Sequence, residues 1–332
     1  MTQTKKELVL AALNNLPTDR VPVGFWFHFT DPADHPYGLE RPEIIERNKA
    51  GHKKFYDAYG PDFIKIMSDG FFTYPNERLK NVKTIEALRG IEPVGANHPW
   101  IVKQIDFVRE IAAAFGQEVL LFYNVFAPLT YLRFQQDHDP QATIAGLIKE
   151  DAEAFKKALD VIGQDLALLA KGVIAEGGAD GIYLSVQSVQ DAYVTQEIYQ
   201  NIIAPSELAV LNAANSVSSN NILHICGYAG GRNNITWFKD HPFKAVNWAV
   251  NVEGVSLADG KEIFGGRAVI GGFDNTASGL LYKGSKAEIE AFTDGLIKGA
   301  GRTGVILGAD CTVPNDIDVT RLNWVRAKAG KI

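Results

Sequence analysis

Two residue types carry the chemistry that is easiest to read in this 332-residue chain, which has two cysteines and seven histidines. Cys226 ends the run NILHIC (Asn221–Cys226), two positions after His224 and directly before Gly227. Cys311 ends a second apolar run, VILGADC (Val305–Cys311), far downstream. In an extended segment, side chains two apart face the same way. His224 and Cys226 are therefore expected on one side with Ile222, and Leu223 and Ile225 on the other. One imidazole and two thiolates form a soft tetrahedral donor set that suits zinc, and three protein ligands with one open position is the catalytic arrangement. Structural zinc draws on closely spaced pairs such as Cys-x-x-Cys, and iron–sulfur clusters on four cysteines; the chain has neither. The same residues admit plainer readings: cysteine is often simply buried, and two cysteines can form a disulfide or do redox chemistry.

Two thiolates and a neutral imidazole leave a divalent zinc near electroneutral. Such a centre is a weak generator of hydroxide but suits an incoming thiol, whose acidity the metal increases. The expected reaction is alkyl transfer to that thiol. A zinc hydrolase is the rival and would want a neighbouring Glu or Asp as base.

Elements must bring these groups together. Eight short apolar runs punctuate the chain: Val21–Phe27, Asp62–Met67, Glu118–Phe126, Asp180–Val186, Asn221–Cys226, Ala245–Val250, Ala268–Asp274 and Val305–Cys311. Several are continuously apolar, as parallel strands covered on both faces are. Helical patterns lie between them: Arg41–Gly60 has proline near its start and glycine at its end, apolar residues recur at helical spacing from Ile144 to Val173, and Ser285 heads a capped helix. Strand followed by helix, eight times over, predicts an α/β fold of the (β/α)8 TIM-barrel kind in a single domain spanning residues 1–332. The open doubly wound sheet is the alternative, but no Gly-x-Gly-x-x-Gly follows the first run. In a barrel, chemistry sits at the C-terminal strand ends, where both cysteines fall.

Bulk properties narrow the class. A net charge of −6 argues against a nucleic-acid or anionic-membrane surface, and no apolar run is long enough to span a bilayer. The opening stretch MTQTKKELVLAALNNL reads as an amphipathic helix rather than a signal peptide. A cytoplasmic protein with reduced thiols is expected.

The segments DRVPVGFW, IKIMSDG, FAPLTYL, GADGIYLSVQ, LHICG, VNW, IGGFDN and GADCTVPND together resemble the uroporphyrinogen decarboxylase superfamily over nearly the whole chain. Within it, His-x-Cys with a distant Cys resembles the zinc-dependent, corrinoid-linked methyltransferases of the methylcobalamin:coenzyme M type, and the zinc half of cobalamin-independent methionine synthase is similar. The resemblance implies Zn2+ on His224, Cys226 and Cys311, a small-molecule thiol acceptor, and a methyl donor that is a folate or a methyl-corrinoid, the latter supplied by a separate corrinoid protein. It also implies an acidic fourth ligand near the end of the sixth run; Glu253 is the nearest acid there, with Asp274 and Asp69 as alternatives.

The runner-up is uroporphyrinogen decarboxylase itself. Those enzymes carry an arginine-rich segment after the first strand, whereas this chain reads FWFHFTDPADH (Phe25–His35), without arginine. A polycarboxylate substrate needs such cationic clamps. Asp69 and Tyr131 do resemble pocket positions of the decarboxylases. Asp69, Tyr131, Tyr183, Gln187, Asp274 and Asn275 are the candidate substrate contacts. His28 reads as a base, a substrate contact or a solvated loop residue, and Asp310 is expected to point away from Cys311. The aromatics near the first run read as core and rim, and His35, His52, His98, His138 and His241 as exposed.

Overall fold

Seven of the eight apolar runs form strands, all parallel and each paired with the next in sequence. They are β1 (Phe63–Ile66), β2 (Leu120–Phe126), β3 (Gly181–Val186), β4 (Ile222–Ile225), β5 (Ala245–Trp248), β6 (Ala268–Phe273) and β7 (Val305–Ala309). The computed structural model describes residues 2–190 and 192–331. Every strand residue is buried, which is why the runs read as continuously apolar.

The period of two divides the core. Phe63, Met67, Phe122, Tyr183, Ile222, Ile270 and Ile306 pack together on the concave face of this barrel-like sheet. Their neighbours Ile64, Leu121, Ile182, Leu223, Ile225, Val269 and Leu307 pack outward against the helices. Ile222 on one side and Leu223 and Ile225 on the other thus divide as the alternation requires. The opening helix, Lys5–Leu13, is begun by a Thr4 capping box and sends Val9, Ala12 and Leu13 into the concave cluster. It buries Leu8, Val9, Ala11, Ala12 and Leu13 and leaves Glu7 exposed.

The first predicted strand, Val21–Phe27, is the fold's main departure from expectation. Among the described residues it makes a single parallel bridge, Val23 to Leu307. Leu307 N–H donates to Pro22 O and Gly24 N–H to Leu307 O, both at 2.9 Å, while Asp62 N–H reaches Val23 O at 3.3 Å. The reason is chemical. Pro22 has no N–H to give, and Val23 N–H donates to the buried Asp62 carboxylate at 2.7 Å instead of to a strand carbonyl. Arg20 holds that carboxylate at 2.7 and 2.6 Å.

The helices follow their signals with one correction. Pro42–Tyr59 ends on Gly60 at φ +59°, and Lys286–Ala300 begins with a Ser285 capping box. The pattern from Ile144 to Val173 is two helices, Pro140–Glu150 and Ala152–Ala175. Asp151 breaks them with an extended backbone, and its carboxylate caps the second through Ala154 N–H. Among the described residues, no helix is long and apolar enough to cross a membrane.

Candidate metal centre

β4 delivers His224 to the concave face, and Cys226 follows one residue past the strand end. Cys311 lies two residues beyond the end of β7. The sheet curvature brings all three together, with their ligand atoms within 4.8 Å of one another. The two sulfurs are 3.9 Å apart, and Cys311 Sγ is 3.5 Å from His224 Nε2. The two sulfurs are not bonded to each other. A tetrahedral ion with bonds of about 2.3 Å to sulfur and about 2.0–2.1 Å to nitrogen sets S···S at about 3.8 Å and S···N at about 3.5 Å. The chain already holds those two edges.

The imidazole is set in the ligating tautomer. Asn247, in register with His224 on β5, donates both amide hydrogens to main-chain carbonyls, Ile270 at 2.9 Å and Ala309 at 3.3 Å. Its oxygen therefore faces His224 Nδ1, 2.5 Å away, and can only accept. Nδ1 carries the hydrogen, and Nε2 turns its lone pair toward Cys311. Gly271 makes room for this: it adopts φ +138°, and a Cβ there would lie 3.2 Å from Asn247 Nδ2. Gly227, the glycine after His-x-Cys, is needed for packing, since a Cβ would come within 2.4 Å of Ala249 Cβ. Cys226 is fixed on several sides. Its N–H donates to Val186 O, and its carbonyl accepts from Gln190 at 2.6 Å and Asn233 at 3.0 Å.

The sulfurs differ electrostatically. Cys311 accepts a hydrogen bond from Cys226, which pulls its pKa well down despite burial, and the Lys65 charge acts in the same direction. Cys226, the donor of that pair and buried, is pushed well up; Gln187 Nε2, 3.6 Å from its sulfur, and the Lys65 charge oppose the rise. The pair shares one proton. A cavity of about 410 Å3 opens over the cluster, bounded by Phe72, Phe126, Phe134 and Tyr228 as well as by His224, Cys226 and Cys311. Lys65 and Asn247 are absent from any reading of the sequence as a site. The available signal was a lysine inside DFIKIM and an asparagine inside AVNWAV, each a polar residue in an otherwise buried strand.

Residues 64–330 match the family profile described as uroporphyrinogen decarboxylase (URO-D). The chain belongs to that family. Two solved structures share the fold of this uroporphyrinogen decarboxylase family member. One is a methyltransferase from Methanosarcina mazei, 18% identical, with a TM-score of 0.68 and coverage of 99% of this chain and 98% of that one. The other is a B12-independent methionine synthase from Shewanella sp. W3-18-1 in complex with selenomethionine, 13% identical, with a TM-score of 0.60 and coverage of 93% and 97%. No curated protein matches.

The other predicted site residues of this family member divide. Gln187 reaches Cys226 and the cavity. Tyr183 lies on the concave face, its ring 5.9 Å from that of His224. Asn275 holds the segment after Cys311 by donating to Thr312 O at 3.0 Å. Asp310 turns away from Cys311, as expected, and accepts from Asn251 N and Nδ2 at 2.9 Å; burial pushes its carboxyl up to about 6. Tyr131 is buried among Trp100, Phe126 and Phe134 and does not line the cavity.

None of the three proposed acidic ligands joins the cluster. Glu253 accepts from Asn233 N and Nδ2 at 2.8 and 2.9 Å, and Asp274 accepts from Thr276 N at 2.8 Å. Asp69 belongs to a second cluster, with His28 and His35. Its Oδ1 is 2.7 Å from His28 Nδ1, and its Oδ2 accepts from Phe29 N at 2.8 Å. His28 and His35 line the same cavity as the cysteines. Three histidines expected at the surface are buried: His35, His52 and His241. Each finds a partner that the sequence cannot show, in Thr30 O, in Asn48 O with Met67 N–H, and in Tyr199 OH respectively.

Proposed function

We propose that this chain is a zinc-dependent methyltransferase that moves a methyl group to a thiol, with His224, Cys226 and Cys311 as the metal ligands. The observation that carries the reading is the match between the two measured edges, 3.9 Å S···S and 3.5 Å S···N, and the edges of a tetrahedral zinc site. The tautomer set by Asn247 supports it, because among the described residues the Nε2 lone pair meets only the sulfur of Cys311, itself a proposed ligand. Zinc held there would make an incoming thiol acidic enough to sit as thiolate at neutral pH. We take the Pro22–Gly24 segment, bonded to β7 and to Asp62 just before β1, to close the sheet as the eighth stave of a TIM barrel.

The residues divide the work as follows. His224, Cys226 and Cys311 would hold the metal through three donors, one fewer than zinc usually takes, which would leave room for a substrate thiol. Gln187 donates to Cys226 Sγ and favours its anionic form. Phe72, Phe126 and Phe134 exclude water from the approach, with Phe72 and Phe134 stacked at 5.4 Å. The thiol proton leaves to solvent; a sulfur lone pair then forms the S–CH3 bond, and the donor keeps the electron pair of the bond that breaks. The donor we favour is a methyl-corrinoid carried by a separate protein, entering through the mouth beside the exposed Tyr228.

The family's decarboxylase activity is the second reading, favoured by the family profile. The cavity speaks against it, since no arginine is among its described lining residues and Lys65 is their single lysine. Metal analysis tests the proposal: the wild type should retain about one zinc per chain after dialysis, and Cys226→Ser and Cys311→Ser about a hundredfold less tightly bound metal. Equal zinc content in all three would sink the ligand set, and formation of a decarboxylated tetrapyrrole without thiol methylation would favour the second reading.

A further inference from the structure

Lys65 lies in the middle of β1 with only 4% of its surface exposed. Its Nζ sits 4.2 Å from the centre of the Tyr183 ring and 5.1 Å from that of Trp26. The same two rings pack on His224, at 5.9 and 6.5 Å, so ammonium and imidazole share an aromatic wall. Among the described residues, Nζ has no hydrogen-bond acceptor and no carboxylate within ion-pair range; the rings are its partners. Lys65 is also the single lysine or arginine among the described residues lining the cavity that contains both sulfurs. Cation–π contact offsets only part of the cost of burying a charge. Three donors aimed into a cavity, with nothing to accept from them, point to a group that arrives.

Charge arithmetic says which group. A divalent ion and two thiolates cancel. A neutral fourth ligand leaves that balance unchanged, whereas a thiolate brings a negative charge into a space walled by aromatics. We propose that Lys65 is a specificity-determining residue whose ammonium makes the open position of the metal centre select an anionic sulfur over a neutral ligand. The inference rests on the metal-centre reading above. Burial pushes the lysine down to about 8, with Cys311, Cys226 and Asp69 opposing, so it remains largely protonated at neutral pH. Asp69 is already engaged by His28 and Phe29 and leaves the ammonium without a contact of its own.

The test uses the full chain loaded with cobalt(II), which reports its ligands by absorption. 2-Mercaptoethanol, whose only acidic group is the thiol, is titrated through the sulfur-to-cobalt charge-transfer band, and imidazole through the d–d bands. The affinity ratio of thiol to imidazole should fall about tenfold or more in Lys65→Met and in Lys65→Gln, and stay within about threefold of wild type in Lys65→Arg. Two neutral variants guard against one of them failing to fold. An unchanged ratio in either neutral variant that retains cobalt overturns the proposal. So does an equal loss of thiol and imidazole binding, which is the mark of a merely structural role. A wild type that takes up no cobalt sinks the metal-centre reading, whereas normal uptake with an unchanged ratio sinks this inference alone.

Discussion

Two clusters of potential ligands meet at one cavity, and in each the ligand atoms lie within 4.8 Å of one another. They differ in where their lone pairs point. In His28, His35 and Asp69 the groups are engaged with one another or with the main chain: Asp69 with His28 and Phe29 N–H, His35 Nε2 with Thr30 O. In His224, Cys226 and Cys311 the satisfied atom faces outward, since His224 Nδ1 meets Asn247, and Nε2 and both sulfurs converge. Closeness alone does not make a metal site. Convergent donors, held by partners outside the cluster, do.

The strongest way to break this contrast is to remove the outside partner. Asn247→Ala leaves His224 Nδ1 unsupported and frees the ring to change tautomer. Zinc affinity, measured by competition with a chelator, should fall about 10–100-fold. Affinity within twofold of wild type would mean that the tautomer is fixed by something other than Asn247.

Next in size is a pH dependence. In the free chain Cys311 is held low and Cys226 high, so near neutral pH metal uptake displaces one proton, from Cys226. Affinity should therefore rise with pH by about tenfold per unit through the neutral range and flatten only above the raised value of Cys226. The slope of log K against pH between 6 and 8 reads this directly. A slope near 1 fits the shared proton, whereas one near 2 would show two protonated thiols and a weaker coupling between them.

Much of this was legible in the residue pattern. Parallel strands buried on both faces advertise themselves as apolar runs, and two-residue periodicity put His224 and Cys226 on one side. The distant Cys311 was recognisable because it, too, ends such a run. What the pattern could not carry was the identity of partners that lie far apart in sequence. Val21–Phe27 has strand residues, yet its ladder stops because Pro22 lacks a donor and Asp62 takes the Val23 hydrogen. His52 sits on a helix face that reads as polar, but Asn48 O and Met67 N–H satisfy both ring nitrogens and allow burial, which pushes it down to about 4. Glu253 stood closest in sequence to the expected acidic ligand, and Asn233 occupies it. The same logic hid Lys65, whose partners are ring faces rather than charges.

The smallest expected effect on metal, and for that reason a sharp one, comes from Asp69→Asn. If the second cluster is a hydrogen-bonded network, zinc affinity should stay within about twofold of wild type, because no ligand and no partner of a ligand has changed. The loss should appear in stability instead. Burial pushes the Asp69 carboxyl up, but the His28 hydrogen bond and charge, His35 and the Phe29 N–H together hold it below the ordinary carboxylate range. A group with a depressed value in the fold contributes stability above its unfolded pKa, about 3.9, and loses that contribution as pH falls through the folded value. Removing a buried, hydrogen-bonded carboxylate should cost about 1–3 kcal/mol at pH 7 in urea unfolding. Asparagine does not ionise, so the gap between wild type and variant should narrow as the pH is lowered below about 4. A gap that is constant with pH would assign the loss to shape rather than charge. A loss of zinc with no loss of stability would reverse the contrast and make Asp69 a ligand after all.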